Sequence, residues 1–278
     1  MSTSAAVNPA ASYTVRMKPR AMNSIGYIAY NTFREAVRDK VLYNLIAFAL
    51  LISAAAILVG EISIDIERLV VVNLGLTAVS LFGVIIAIFI GIGLVSKEID
   101  KRTLYTVLSR PVRRWEFVVG KFFGLTGTLV LNTLLMALGV MLSLLYVAHR
   151  FEKMDLWVLV ALYFIVLQFL IVCALALFFS SFSTPIMSAV FSFALFVIGN
   201  LSADLHGFAR STPGVAGWFM TAVAYLVPNF SALNIINPVA HGDPVPGRLI
   251  LYCTTYALLY SAVAISGAVL IFQRRNLK

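Results

Sequence analysis

Charge is what this chain has least of. Asp, Glu, Lys and Arg supply 12% of its 278 residues, about half the share found in soluble globular domains. With 61% hydrophobic residues and a mean hydropathy of +0.95, it cannot cover a water-facing surface. The composition is that of an all-α integral membrane protein. Cysteine is nearly absent: Cys173 and Cys253 both fall in apolar runs, which argues against a disulfide framework and leaves them as small buried hydrophobes. The three histidines, His149, His206 and His241, are far apart. They show no zinc spacing and no Met/His/Cys cluster suited to copper. Ser202, Asp204 and His206 lie too close in sequence to be read as a hydrolase triad.

A phosphate-binding loop is missing as well. Such a loop needs G-x-x-x-x-G-K-[ST], and the Gly120-Lys121 pair is followed by Phe122. The chain is therefore expected to be no enzyme and to bind no cofactor or metal. No apolar core marks the first 24 residues as a cleavable signal peptide. Residues 1–23 are expected to form a disordered, mildly basic cytoplasmic tail, with a mitochondrial transit peptide as the rival reading. A net charge of +9 raises the question of nucleic acid. The basic residues instead gather beside apolar runs, as topology signals do, and no nucleic-acid partner is expected.

Long uncharged runs are what the chain has in abundance. They cover residues 41–60, 69–95, 122–148 and 249–273. A further run, 156–203, is too long for one span and is divided at "SSFSTP", where Pro185 restricts Thr184 and lacks a donor. The expectation is six transmembrane helices, each able to cross ~30 Å of hydrocarbon. Residues 211–240 are also uncharged but are broken by Pro213, Gly214, Pro228, Asn229 and Pro238. Their cleanest apolar piece, 218–227, would reach only ~15 Å as a helix. This favours a re-entrant or interfacial outer segment between the fifth and sixth helices over a seventh span. Charge agrees: six spans with a cytoplasmic N-terminus put sixteen Lys/Arg inside and five outside.

Ahead of the first span, "SIGYIAYNTFREAVRDK" has a helical period. Ile25, Ile28, Ala29, Phe33, Ala36 and Val37 form one face; Asn31, Arg34, Glu35, Arg38 and Asp39 form the other. An amphipathic helix lying at the membrane interface is expected, rather than a cytoplasmic extension of the first span. Within the spans, Gly124, Thr126, Gly127, Thr128, Asn132 and Thr133 permit close helix approach. Asn132 and Gln168 read as bonds between helices more readily than as parts of a transport path.

One dense polar island remains, "SKEIDKRTLYTVLSRPVRRWEFVVGK", residues 96–121, with seven basic and three acidic residues. Residues 97–108 interleave Ile99, Leu104, Val107 and Leu108 with charges, as a short amphipathic helix would. Arg110-Pro111 starts a new element, and Trp115 suits the interface. The island is longer than a plain connector requires.

Glu98, the Thr103-Leu104 pair, Leu108, Ser109, Pro111, Arg114 and Gly120-Lys121 resemble the signature between the second and third spans of ABC type-2 permeases, the membrane subunits of ATP-driven exporters. Many members carry Gly where this chain has Arg102. "YLVPNFSALNI" and the closing "IFQRRNLK" are similar to the group related to copper-maturation permeases. The resemblance implies a permease domain over residues 24–278 in a bacterial inner membrane, with both termini cytoplasmic. It also implies a second permease copy or homologue and cytoplasmic ABC ATPase subunits that carry the ATP and magnesium. The island would be a coupling helix, with Glu98, Arg102, Leu104, Leu108, Arg110 and Arg114 contacting the ATPase. The alternative is a membrane anchor or assembly factor that recruits an ATPase without moving a solute.

Overall fold

The computed structural model describes residues 21–38, 67–100, 113–148, 155–211 and 214–274, with scattered helical positions between 43 and 59. About 90% of the described residues are helical, and none is in a strand. Most of the expected first span, 41–60, lies outside them. In chain order the helices are α1 (Ala21–Val37), α2 (Glu67–Asp100), α3 (Arg114–Ala148), α4 (Leu156–Ser180), α5 (Pro185–Asn200), α6 (Ser202–Ser211), α7 (Val215–Leu226), α8 (Ile236–Ala240) and α9 (Gly247–Arg274). A 3-10 turn, Ser231–Leu233, precedes α8.

Among the described residues four helices, α2, α3, α4 and α9, are long and apolar enough to cross a membrane. The count rises to six if two bent pairs each make one span: α5 with α6, turned by 66°, and α7 with the Ser231–Ala240 segment, turned by 44°. The uncharged run 156–203 breaks where proline chemistry requires. Helix α4 ends at Ser180, Thr184 is extended with φ −73° and ψ 157°, and Pro185 opens α5. The run does not stay one helix to its end, because the chain turns after Asn200.

Helix α4 is apolar all round, as a helix surrounded by protein must be. In its most apolar stretch 72% of residues are buried, against 33% in α9, which turns Leu251 and Val263 outward. Paired contacts fix the helix directions. Gly83 of α2 sits under the ring of Phe169, and Gly91 faces Ala176, so α2 and α4 run parallel. Tyr163 bonds Thr254 at 2.7 Å while Phe178 lies over Gly267, so α9 runs with α4. Gly75 meets Val140 and Phe117 stacks on Phe272 at 6.1 Å, so α3 runs against the other three. The bundle thus has one end holding the C-termini of α2, α4 and α9 with the N-terminus of α3. This is the basic end. The cysteines are free and buried.

The break after α7 has its backbone groups bonded within the protein. At the C-terminal end of α7, the Tyr260 hydroxyl donates to the Leu226 carbonyl at 3.0 Å and the Asn229 N–H donates to the Tyr256 hydroxyl at 2.8 Å. The Asn229 side-chain oxygen, Oδ1, accepts from the Ser202 and Ser231 hydroxyls and the Ala232 N–H at 2.8, 2.8 and 3.0 Å. Exposed backbone groups are intolerable in hydrocarbon, and these bonds remove them. Asn229→Ala should therefore lower stability by about 1–3 kcal/mol, since the buried Ser202 and two half-buried partners lose their acceptor together. A lowered thermal unfolding midpoint in detergent, with Ser231→Ala costing less, is the expected reading.

Candidate coupling site and outer groove

At the basic end, α2 continues through the charges to Asp100 as one 34-residue helix. The expected start of an amphipathic helix at Lys97 is corrected: residues 97–100 belong to α2, because Lys, Glu and Asp do not interrupt a helix already formed, and the rest of that helix, 101–108, lies outside the described residues. At 1.5 Å per residue α2 and α3 are each about 50 Å long, well beyond the ~30 Å hydrocarbon core. Glu98 lies in the last turn of α2, and Arg114 is the first residue of α3. The antiparallel packing brings these two helix ends to the same end of the bundle. Arg102, Leu104, Leu108 and Arg110, which complete the expected coupling set, lie outside the described residues.

Helix α3 starts with a capping arrangement. The Arg113 N–H donates to Glu116 Oε2 at 3.2 Å, and Glu116 is buried. One turn on, Lys121 is 2% exposed and its Nζ stands 5.0 Å from the centre of the Phe117 ring, a cation–π distance. Phe117, Leu177, Ser181 and Phe272 surround it, tying α3 to the ends of α4 and α9. A buried lysine and glutamate here had no linear signature beyond the Gly-Lys pair.

The N-terminal helix is part of this end. Its Thr32 and Ala36 are buried, while Tyr27, Tyr30, Asn31, Arg34 and Glu35 are exposed, as the period predicts. It begins at Ala21, three residues ahead of its periodic stretch. What receives it is a glycine seam on α3. A Cβ on Gly120 would come within 2.8 Å of Ile28, and one on Gly124 within 2.5 Å of the Ala29 carbonyl and 2.7 Å of Thr32 Cβ. Gly127 lies under Phe33. Helix α1 is therefore seated on protein through its apolar face, backbone against backbone.

The opposite end is held by Arg68 at the start of α2, which forms an ion pair with Asp155 at the N-terminus of α4. Just beyond it, Asn73, Thr77 and Ser80 share one face of α2. Asn73 donates to Asn237 at 2.7 Å, and Ser80 lies 3.5 Å from Gln168 of α4. Gln168 is thus a bond between helices, as expected. Asn132 is buried, but its side-chain oxygen has no partner among the described residues and its NH2 group reaches Met136 Sδ of the same helix at 4.0 Å, so the expected bond to another helix is not seen there. His241 closes α8, its Nδ1 2.8 Å from the Asn237 carbonyl. Among the described residues no three His, Cys, Asp or Glu side chains come together as a metal site would need.

Parallel and antiparallel spans around one mostly buried helix, with broken helices between the last two, define a multi-pass α-helical membrane protein. A family model for ABC-2 family transporter proteins matches residues 26–277, and the chain belongs to that family. Members are membrane subunits of ABC transporters that work with ABC ATPases. No curated protein matches the chain.

Proposed function

We propose that this chain is the permease subunit of an ATP-driven exporter in a bacterial inner membrane, with the basic end in the cytoplasm. Two permease copies pair with two ABC ATPase subunits, which carry ATP and magnesium. Six spans cross the bilayer: residues 41–60, α2, α3, α4, α5 and α9. Residues 203–248 form the outer, re-entrant segment. The observation that carries this reading is the placement of one basic segment, 101–113, between the two longest helices of the bundle. A push on that segment reaches α2 and α3 together, and it reaches α1 through the glycine seam. Glu98, Arg102, Arg110 and Arg114 supply charged contacts to the ATPase; Leu104 and Leu108 supply apolar ones.

The test is capture of a co-expressed ABC ATPase by the tagged full-length chain, followed by ATP-driven transport in vesicles. Reversing both charges, Glu98→Lys with Arg102→Glu, places like charges across the interface, which costs several kcal/mol. Capture should fall by at least about tenfold while membrane insertion is unchanged. Undiminished capture and transport in that variant would remove the coupling role from these residues.

A further inference from the structure

Between α2, α5 and the turn before α8 lies an open groove of about 480 Å³, at the end of the bundle away from the basic island. Its polar lining is Asn73, Thr77, Ser80, Asn200, Asn234 and Asn237. Four carboxamides and two hydroxyls thus meet in one place, drawn from three separate parts of the chain. None of the groove's described lining residues is ionisable. The remaining lining is apolar: Leu81, Phe196, Val197, Leu201 and Ile236. Of these, Leu81, Val197 and Leu201 are also exposed on the outer surface of the bundle.

We propose that this groove binds the uncharged, polyhydroxylated headgroup of a lipid-linked glycoside. The inference rests on the permease reading only for its biological use; binding itself needs no ATPase. The amides are only partly spent on the protein. Asn200 donates to the Phe196 carbonyl at 2.9 Å, Asn234 accepts from the Ile236 N–H at 3.3 Å, and Asn73 donates to Asn237. The Asn200 side-chain oxygen and the side-chain NH2 groups of Asn234 and Asn237 remain available among the described residues.

A carboxamide offers two donors and an acceptor side by side, and each sugar hydroxyl is both donor and acceptor. Adjacent hydroxyls therefore find complementary partners whichever way they turn. An anionic or cationic headgroup would surrender hydration to a wall that returns no opposite charge, which is costly. A peptide would call for the edge of a sheet or a long helix groove, and this wall is made of helix sides and a turn. The Phe196 ring offers an apolar face to sugar C–H groups. The groove's size falls within the ~300–1,000 Å³ of small-molecule sites. Its open flank leads onto Leu81, Val197 and Leu201, where acyl chains belong. A lipid tether fits that flank better than a free sugar does.

The experiment is native mass spectrometry of the full-length chain in nanodiscs, without ATPase or nucleotide. Monoglucosyl diacylglycerol, phosphatidylglycerol and diacylglycerol with the same acyl chains are compared. The glucosyl lipid should be retained about tenfold more tightly than the other two, the factor expected for one or two net hydrogen bonds. Asn200→Leu with Asn237→Leu should erase that preference. Asn200→Asp, which keeps the shape and adds a charge, should weaken glucosyl-lipid retention if the double variant fails to fold. Equal retention of the three lipids, or a preference that survives both variants, would overturn the proposal. Displacement by excess free glucose would overturn the lipid-linked form of it. Lost ATPase capture with intact glucosyl-lipid binding would count against the coupling reading alone; the reverse result would count against the groove alone.

Discussion

Replacing Gly124 with leucine should strip helix α1 from the bundle. The reason is the distance at which the two backbones meet: even a methyl group at this position would stand 2.5 Å from the Ala29 carbonyl oxygen. A flexible side chain can swing away from such a clash, but a helix carbonyl cannot. Overpacking in a well-packed region costs about 1–3 kcal/mol when side chains give way; here the helix itself has to move. The reading is a cysteine at Thr32, a position only 3% exposed in the native seat. In an otherwise native chain Thr32→Cys should resist a maleimide reagent. With Gly124→Leu added it should react at the rate of an exposed thiol. Gly127→Ala serves as the control, because its nearest neighbour, Phe33, lies at an ordinary 3.5 Å. If α1 transmits motion to α3, ATPase stimulation by the permease should fall in Gly124→Leu and persist in Gly127→Ala. Protection of the Thr32→Cys thiol in the leucine variant would contradict the seating.

The amphipathic face of α1 was legible because helical period alone sorts its residues. Its seat was not. Glycines at 120, 124 and 127 announce close approach, but they do not say which helix arrives. Bilayer-length apolar runs gave α2, α3, α4 and α9 for the same reason: hydrocarbon admits little else. Ends of elements were harder. Charge stops a span without stopping a helix, so α2 runs past Val95 to Asp100 and α3 starts before Phe122, at Arg114. The turn after Asn200 left no trace in an apolar run that continues to Ala203. The groove was invisible for a simpler reason. Its asparagines at 73, 200, 234 and 237 belong to no local pattern and meet only through tertiary packing. The "PNFS" turn is an intermediate case: its proline and asparagine mark a break, while the tyrosines that satisfy it come from α9, a turn apart at 256 and 260.

The ion pair at the far end carries the other large effect. Arg68 enters a sequence-based charge balance as one of five outer cations, and nothing there connects it to Asp155, 87 residues away. In the fold it joins the N-termini of two parallel helices, with Asp155 buried to 4% exposure. Asp155 stands at the start of α4 with no side-chain cap bond of its own, so its carboxylate is turned to the arginine. Parallel helices present like dipole ends to each other, and a shared pair at that end ties them. Removing the cation leaves a buried carboxylate without its compensating charge, a loss of about 3–5 kcal/mol in comparable buried pairs. Arg68→Ala should thus cost far more stability than an exposed surface substitution, and Asp155→Ala should cost a similar amount. The double variant, Arg68→Leu with Asp155→Leu, should recover much of the loss, because it removes the buried carboxylate together with its half-buried partner and keeps apolar volume. Unfolding in denaturant or by heat, read as a double-mutant cycle, measures the coupling. Additive losses would mean that the two side chains act separately, and that the parallel helices α2 and α4 are held by the packing at Gly83 and Gly91 and by the Ser80–Gln168 bond instead.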